Sequence, residues 1–585
     1  MSEHNERSHS GFDPSLGHLV AAVVVISLAA LVRLDGVAWD GFASLHADER
    51  HMIFVLSDMR AALSAYGEGF YEIWFGTGTS ALDPRMGGRS HVYGEAPLLT
   101  AAVLAWQLDL QGWGDLLLLG RRIASVLDTS TVAAAYILAW MLTQRAHAAL
   151  FAAIMYAASP TALQLSNFFV VDVWLSFAVI WCIVFLTAMI RSAKSPFLLA
   201  LAAGAFAGLA LGSKITGGLL AAPALVAAIV LFRRRGFVLT LFAGLAFLLG
   251  TFLVLRLSSP FIFEGPELWS IWPAASFVDD VTELTGLAAS QDFPPQWQWM
   301  AGYPVWAFFR DWVLFGIGPV AALVIAVGCV QSIRDIELKR VANFAIPLAL
   351  ITAVAVWMAS SFATPLRYGA PALPVLAVFS AVAIVGWSRW VMAVLAIGAI
   401  WWGSGVYRLH KGEHPRVVAS RWLWSLPEGT VLANETPWDE GLPVAVFLPH
   451  GWEGPRPLPA DRFRMTVLDI TAADTPEKAR DLARKIYEAD YLILSSGRQR
   501  DVMPRLPDRF PLTAAYYKIL EQEALCLSLA LRVDRGYPLP MMRFPDSWAQ
   551  ENWHVFDHPV VEIYRRGDCY DPKEMEAVLM QALRP

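Results

Sequence analysis

Charged residues are scarce in this sequence. Lys, Arg, Asp and Glu make up 16% of the 585 residues, whereas a soluble domain carries roughly 25%. The mean hydropathy is high, at +0.46, and the net charge of −6 provides no basic surface for nucleic acid. The composition therefore predicts a polytopic membrane protein without a nucleic-acid partner.

Cysteine is also rare, with four residues in the whole chain. Cys182 and Cys329 lie inside apolar runs, where we expect packing roles. Cys526 and Cys569 lie in the polar C-terminal part. A disulfide between these two is compatible with a location outside the cytoplasm, and two free thiols are the alternative.

Long apolar runs are abundant. The first, 19–32, continues into Arg33 without an Ala-x-Ala cleavage site, so we interpret it as a retained span and not a signal peptide. Because about 20 apolar residues cross a bilayer, we predict about eleven transmembrane helices. After the first run they occupy residues 120–143, 147–165, 170–190, 197–212, 216–232, 237–256, 304–330, 342–361, 366–386 and 389–405.

Basic residues recur at every second loop, which predicts that those loops face the cytoplasm. They are Arg145, Arg191, Lys194, Arg233, Arg234, Arg235, Arg334, Lys339, Arg340 and Arg389. The alternation holds only if the apolar stretch 96–110 does not cross the membrane. We therefore predict a cytoplasmic N-terminus, outer loops at 35–118 and 257–303, and an outer C-terminal part.

Charges and prolines increase after residue 405, so we predict a transmembrane domain over 1–405 and a soluble α/β domain over 406–585. Strands are predicted at 430–434, 491–495, 525–533 and 560–564, and helices at 475–489, 514–523 and 572–583.

An unusual group of ionisable residues follows the first span. Residues 44–51 read Ser-Leu-His-Ala-Asp-Glu-Arg-His and include Asp48 and Glu49, flanked by His46 and His51. Ionisable groups close to a membrane are costly and often functional. Asp48 and Glu49 are therefore candidates for a general base, and His46, Asp48 and His51 are weak metal-ligand candidates. The alternative is a solvated acidic turn that caps a helix.

Several basic residues lie on the predicted outer side, against the general charge trend. Lys214, Arg256 and Arg367, with Tyr368 beside the last, are candidates for binding a phosphate, because a guanidinium pairs well with phosphate oxygens. Snorkelling towards lipid headgroups is the alternative.

The remaining candidates line the first outer loop and the starts of spans. Arg85 and Arg89 flank Gly87 and Gly88 in a loop that would suit an anion. The candidates for lining a cavity or contacting an acceptor are Tyr93, Glu95, Arg121 and Asp172. The tryptophan-rich loop 257–303 fits either a substrate lid or an interfacial aromatic belt.

The order of these short motifs resembles the GT-C glycosyltransferases, close to the protein O-mannosyltransferase and aminoarabinose-transferase group and to a bacterial branch with a C-terminal extracytoplasmic domain. The N-terminal motifs are Asp48-Glu49, Tyr-Gly-Glu-Ala-Pro-Leu-Leu at 93–99, Gly-Arg-Arg-Ile-Ala-Ser at 120–125, Ser159-Pro160, Ser-Asn-Phe-Phe-Val-Val-Asp at 166–172, Ser213-Lys214 and Arg367-Tyr368. The C-terminal motifs are 414–422, 434–443, Tyr516-Tyr517 and Asp557-His558-Pro559.

The resemblance implies a polyprenyl phosphate sugar donor used at the outer face of a bacterial inner membrane. It also implies inversion at the anomeric carbon, with Asp48 as the base that activates an extracytoplasmic acceptor (a protein, lipid or glycan). Glu49 would support Asp48 or bind the acceptor. Arg256, Arg367 and Lys214 would bind the donor phosphate. The family often has a histidine where Asn167 stands, and its members differ in whether they use a divalent metal, so the resemblance leaves the metal open.

A transporter or lipid flippase with a charged cavity and no chemistry is the alternative function. Transporters often contain inverted repeats and broken helices. The sequence shows no matched halves, and its charges cluster on one predicted side, which favours the enzyme.

Overall fold

The computed structural model describes residues 16–65, 70–77, 80–86, 89–192, 196–302, 305–334, 338–435, 441–443 and 462–584. Some residues named above lie outside the described ones, wholly or in their side chains: Gly87, Gly88, Lys194, Cys329, Arg334, Lys339, Arg340 and 436–440.

Apolar helices dominate the first two thirds of the chain. Within the described residues, seven are long and apolar enough to cross a membrane, or eight if one bent pair is a single span. The helices are α1 (Leu16–Asp35), α2 (Ala47–Ala65), α3 (Phe70–Phe75), α4 (Ala96–Gln107), α5 (Trp113–Thr143), α6 (Ala146–Ala157), α7 (Pro160–Leu165), α8 (Val171–Arg191), α9 (Phe197–Leu211), α10 (Ala221–Arg235), α11 (Phe237–Ser258), α12 (Ala275–Ala289), α13 (Trp297–Met300), α14 (Val305–Asp311), α15 (Pro319–Arg334), α16 (Leu338–Ser360), α17 (Leu373–Ala383) and α18 (Arg389–Lys411).

The fold class expected from the sequence, a polytopic helical protein with a C-terminal domain that contains a sheet, is confirmed. The number of eleven spans remains a prediction, because α6, α9 and the apolar part of α16 are shorter than the full-length spans. Residues 304–330 do not form one straight helix. The chain bends by 110° between Val305–Gly316 and Pro319–Gly328, at Gly318, whose φ of +92° suits glycine.

Small residues let the spans approach closely. A Cβ atom at Gly204 would lie 1.9 Å from the carbonyl oxygen of Phe247, and one at Gly250 would lie 2.2 Å from that of Leu201. Helices α9 and α11 are therefore in backbone contact, as small residues permit in membrane proteins.

The C-terminal part is an α/β unit. Its helices are α19 (Pro415–Leu423), α20 (Pro476–Glu488), α21 (Pro511–Glu521), α22 (Glu551–His554) and α23 (Pro572–Ala582), and its strands are β1 (Thr430–Glu435), β2 (Phe463–Leu468), β3 (Tyr491–Leu494), β4 (Leu527–Val533), β5 (Tyr537–Leu539), β6 (Met542–Phe544) and β7 (Val561–Arg566). The main sheet has the order β2-β1-β3-β7-β4. Strands β1, β2 and β3 are parallel, and β7 is antiparallel to both of its neighbours.

The predicted strands and helices of this unit correspond to observed elements within a few residues. Strand β2 and the separate β5–β6 hairpin were missed. Cys526 and Cys569 form a disulfide. The long helix α18 continues to Lys411, so the change in composition at residue 405 lies inside a helix. The domain boundary stays a prediction.

Buried polar contacts join the C-terminal unit to the helices. His410 of α18 lies 3.3 Å from Asp557, which also bonds His558, and Gln164 donates to Asp557 at 2.9 Å. Asp546 accepts from His558 at 2.8 Å. Burial lowers the pKa of His558, but Asp557 and Asp546 outweigh that effect and raise it to about 10. The imidazolium therefore stays charged between its two carboxylates.

Candidate active site

The turn between α1 and α2 positions Asp48. The carboxylate of Asp40 accepts hydrogen bonds from the backbone N–H groups of Phe42 and Leu45, both at 3.1 Å. His46 then accepts from the N–H of Glu49 at 3.4 Å. Helix α2 begins at Ala47, so Asp48 and Glu49 both lie in its first turn. A negative charge in the first turn of a helix is favourable.

Two ion pairs meet beside this turn. Arg367 donates to Asp48 Oδ2 at 2.6 Å, and Lys214 donates to Asp172 Oδ1 at 2.8 Å. Lys214 Nζ also lies 5.0 Å from the ring centre of Tyr368. These residues and Tyr93, whose hydroxyl lies 3.5 Å from Asp48 Oδ2, form what we call the open cluster.

The open cluster is partly exposed to solvent. The side chain of Asp48 is 28% exposed and that of Arg367 is 21% exposed. Burial acts to raise the pKa of Asp48, but Arg367, His46 and Lys214 outweigh it and hold the pKa well below its usual range. Asp48 is therefore an ionised carboxylate that can reach a ligand.

The neighbouring carboxylate has a different environment. Arg121 binds both oxygens of Glu49, at 2.9 and 2.6 Å, and both oxygens of Asp40, at 2.9 Å each. Glu49 also accepts from the N–H of Phe169 at 2.8 Å, and the ring of Trp39 covers the guanidinium. All three charged side chains are fully buried. We call Asp40, Arg121 and Glu49 the closed triad.

Arg256 donates hydrogen bonds to backbone carbonyl oxygens. Its guanidinium is fully buried and donates to the carbonyl oxygens of Pro260, Gly265 and Glu267 at 2.7, 3.0 and 2.9 Å, the shortest bond going to Pro260. Phe75 contacts one face of the guanidinium. These bonds secure the start of the second outer loop, and none of them is with a member of the open cluster.

Arg85 connects the two loops predicted to face out, 35–118 and 257–303. It donates to Asp280 Oδ2 at 3.0 Å, to Glu95 Oε1 at 2.8 Å and to the carbonyl of His91 at 2.7 Å. Burial raises the pKa of Glu95 to about 7, although Arg85 opposes the shift. Arg89, by contrast, is exposed and pairs with Asp58.

The two histidines of the 44–51 segment, His46 and His51, have different partners. His46 is buried and stacks on Phe556 with ring centres 3.9 Å apart, whereas His51 Nε2 lies 3.4 Å from His91 Nδ1. No three His, Cys, Asp or Glu side chains in the described part of the chain are close enough to hold a metal ion. Because Asp48 and Asp172 are paired with a guanidinium and an ammonium group, these donors do not fit a metal centre.

Sequence reasoning missed three contacts that shape the site. Asp40 is the second partner of Arg121, and Ser259 accepts from the N–H of Glu95 at 3.0 Å. Gly94 lies so close to the 212–214 turn that a Cβ atom would come within 2.1 Å of the carbonyl oxygen of Gly212. The glycine in the Tyr-Gly-Glu motif was a signal for such a close approach.

A comparison with solved structures places this geometry in a known architecture. A crystal structure of an oligosaccharyltransferase from Archaeoglobus fulgidus, tethered to an acceptor peptide, superposes with a TM-score of 0.53, at 14% identity over 85% of this chain and 72% of that one. The chain has the fold of a GT-C glycosyltransferase. Since identity is this low, the likeness shows the fold alone.

Two further solved structures are similar to the GT-C fold of this chain. The Archaeoglobus fulgidus enzyme in complex with an inhibitory peptide and a dolichol-phosphate has a TM-score of 0.50, at 14% identity over 86% of this chain and 73% of that one. ArnT from Cupriavidus metallidurans, bound to undecaprenyl phosphate, has a TM-score of 0.46, at 14% identity over 96% and 100%. No protein-family model matches the chain, and no curated protein matches it.

Proposed function

We propose that this protein is an inverting glycosyltransferase that moves a sugar from a polyprenyl phosphate donor to an extracytoplasmic acceptor. The observation that carries the proposal is the open cluster. It combines an ionised, accessible Asp48 with the cationic groups of Arg367 and Lys214, within a GT-C fold.

The two cations supply what the leaving group requires. When the bond between the anomeric carbon and the phosphate oxygen breaks, its electron pair stays on the phosphate, whose charge increases. Arg367 and Lys214 would stabilise that charge in a partly dehydrated site. Arg256 and Arg85 each donate to three protein oxygens, and Arg89 is exposed. Arg367 and Lys214 each donate to one carboxylate and are partly exposed, so we assign the donor phosphate to these two.

Asp48 would act on the acceptor. Its carboxylate would take the acceptor's proton as the acceptor atom forms its bond to the anomeric carbon, opposite to the departing phosphate. Attack from that side inverts the anomeric configuration. The hydroxyl of Tyr93, 3.5 Å from Asp48, lies where it would help to orient the acceptor, and Asp172 would hold Lys214 in place.

The burial of Glu49 favours one of the two roles that the resemblance implied, the support of Asp48, over acceptor binding. Its oxygens already bind Arg121 and the N–H of Phe169. We propose that it fixes the start of α2, and therefore the position of Asp48, without touching the acceptor.

We further propose a bacterial inner-membrane location, with a cytoplasmic N-terminus and the C-terminal domain outside. Seven to eight span-like helices support membrane insertion. The disulfide between Cys526 and Cys569 supports an oxidising compartment for the C-terminal domain.

The test is turnover by the purified protein in lipid nanodiscs, with a panel of radiolabelled polyprenyl phosphate sugars and candidate acceptors. Asp48→Asn should lower the transfer rate by about 10²- to 10⁴-fold, the usual contribution of a general base. Asp58→Asn is the matched control, because it makes the same change in the same helix at an exposed ion pair.

Two outcomes would contradict the proposal. Turnover by Asp48→Asn at the rate of the unchanged protein would remove Asp48 as the base. Movement of labelled donor across sealed vesicles, with no sugar released or transferred from any donor, would instead support a flippase.

A further inference from the structure

One hairpin of the C-terminal domain exposes apolar side chains to its surroundings. Strands β5 and β6 are joined at Pro540 and Met541, and Met541 has a φ of +68°. Its side chain is fully exposed, and about half of Met542 is exposed. Apolar side chains at the tip of a projecting hairpin indicate a contact surface.

The hairpin lies alongside the last span and not above it. Arg535 donates to the carbonyl oxygens of Arg408 and Leu409, at the C-terminal end of α18, and to that of Glu413, just beyond it. Two residues later, the hydroxyl of Tyr537 donates to the carbonyl of Trp402 at 2.7 Å.

The order of these contacts along α18 shows how far the hairpin reaches into the bilayer. Trp402 precedes Leu409 by about two turns, or roughly 10 Å along the helix at 1.5 Å per residue. The chain therefore runs from the end of α18 back along the span. The tip of the hairpin, at Pro540 and Met541, directly follows β5, which contains Tyr537. Because a span needs about 20 residues, Trp402 lies inside the part of this 23-residue helix that crosses the bilayer.

Helix α18 has a glycine where the hairpin packs against it. A Cβ atom at Gly405 would lie 2.4 Å from the ring of Tyr537, so only glycine allows this approach. The ring of Trp402 contacts those of Tyr537 and Phe544, with centres 5.5 and 5.3 Å apart. Leu539 is buried in the same cluster. The hairpin is thus packed on the span and not simply projecting into solvent.

A neighbouring helix extends the exposed apolar surface. Val305, Trp306 and Phe309 are exposed in the segment that bends by 110° away from the next span, whereas Ala307 and Asp311 are buried. Such an amphipathic segment suits the plane of a membrane interface.

Arg310 joins this helix to the hairpin side. Its guanidinium lies 3.8 Å from the ring centre of Trp548 and 5.1 Å from that of Trp306, and the rings of Trp548 and Phe544 are 6.2 Å apart. Tryptophan and arginine are typical of the interfacial layer of a bilayer. The apolar surface of the hairpin is therefore continuous with that of Val305–Gly316.

We propose that the β5–β6 hairpin inserts into the lipid leaflet next to the C-terminal domain and anchors that domain to the membrane. The occupant of the surface is bilayer lipid. The hairpin packs on α18 at Trp402 and Gly405, and the same helix exposes Val394 and Ile397, which favours lipid over a protein partner.

The test measures the environment of a spin label at residue 541 and does not depend on any activity. The full-length protein carrying Cys182→Ala, Cys329→Ala and Met541→Cys is labelled with a nitroxide and reconstituted in phosphatidylcholine–phosphatidylglycerol vesicles. Val394→Cys, on the exposed face of α18, is the lipid reference, and Met465→Cys, on strand β2, is the aqueous reference. Collision rates with oxygen, which concentrates in lipid, and with a water-soluble nickel chelate are compared.

The ratio of oxygen to nickel collisions at 541 should match that at 394 and exceed that at 465 several-fold. A ratio equal to that at 465 would overturn the proposal. Dipolar broadening between labels on two chains, with an aqueous ratio after dilution, would also overturn it in favour of a second copy of the chain. Met542→Cys provides the same comparison if Met541→Cys does not fold.

Discussion

The open cluster and the closed triad use the same kinds of side chain, at adjacent residues, for different purposes. In the closed triad, one arginine satisfies two carboxylates, and all three side chains are fully buried. In the open cluster, each carboxylate has one cation, and Asp48 and Arg367 retain access to solvent. An arginine whose donors are all used by the protein cannot bind a phosphate, whereas one with accessible donors can.

The same difference separates the other outer arginines. Arg256 and Arg85 donate to several protein oxygens each, and these bonds keep the two outer loops in place. Their position on the predicted outer side is thus explained by loop anchoring. Unexpected charge near a membrane can indicate either a binding site or a structural clamp, and the number of donors already used distinguishes the two.

Removing the shared arginine of the closed triad should have the largest effect. Arg121→Met would leave Asp40 and Glu49 buried without a partner, which typically costs about 3–5 kcal/mol. We expect this loss in the free energy of unfolding, measured by denaturant titration in detergent. Arg367→Met is the matched comparison and should cost under about 1 kcal/mol, because its ion pair is partly exposed. Equal losses in the two variants would remove the distinction between the sites.

Turnover should depend on the open cluster without a matching loss of stability. Arg367→Met and Lys214→Met should each lower transfer by about 100-fold, which is the loss of one donor to a developing negative charge, while the protein remains folded. Tryptophan fluorescence and gel filtration would check the fold of both variants. Full turnover in both would show that the open cluster does not bind the donor phosphate.

The third test concerns Glu435, a buried carboxyl group that accepts a hydrogen bond from Tyr517. Burial raises the pKa of Glu435 to about 7, although the hydrogen bond from Tyr517 opposes the shift. Because the folded state holds this proton more tightly, stability should fall as pH rises from about 5 to 7 and then level off. The change is about 2 kcal/mol for a shift of this size.

The measurement is the difference in unfolding free energy between Glu435→Gln and the unchanged protein, taken at several pH values. The variant should gain on the unchanged protein by about 2 kcal/mol between pH 5 and 7. A constant difference over that range would mean that Glu435 is already ionised in the folded protein.

The smallest effect is expected at the exposed pair of Arg89 and Asp58. Their side chains are 42% and 57% exposed, and such pairs contribute at most about 1 kcal/mol. Arg89→Gln should change unfolding by less than about 0.5 kcal/mol and turnover by less than twofold. A larger loss of turnover with donor affinity reduced would return Arg89 to the phosphate site.

The fold was predictable where the pattern is local. Runs of apolar residues located the spans, because a helix satisfies its backbone hydrogen bonds within the same segment. Alternating strands and helices indicated the α/β unit. The bend near Gly318 and the β5–β6 hairpin were not predictable in this way. The bend occurs inside one continuous apolar run, and the hairpin is too short to show a period.

The candidate residues were predictable as a group, but their roles were not. Charge placed near a membrane singled out Asp48, Glu49 and Arg367, and the structure brings all three to the first turn of α2. Whether a carboxylate is open depends on partners far away in sequence: Arg121 for Glu49, and Arg367 for Asp48. Adjacent residues of one helix turn point in different directions, so neighbours in sequence have different partners.

By itself, the sequence determined that the chain would build apolar helices, that a sheet-containing domain would follow them, and that costly charges would collect between the spans. Those properties follow from composition and from the local pattern of apolar residues. Only the tertiary structure decided which charged side chains are already fully bound by other groups of the protein. The carbonyl oxygens that occupy Arg256, and the open side of Asp48, are created when distant segments pack together, and no local pattern records that packing.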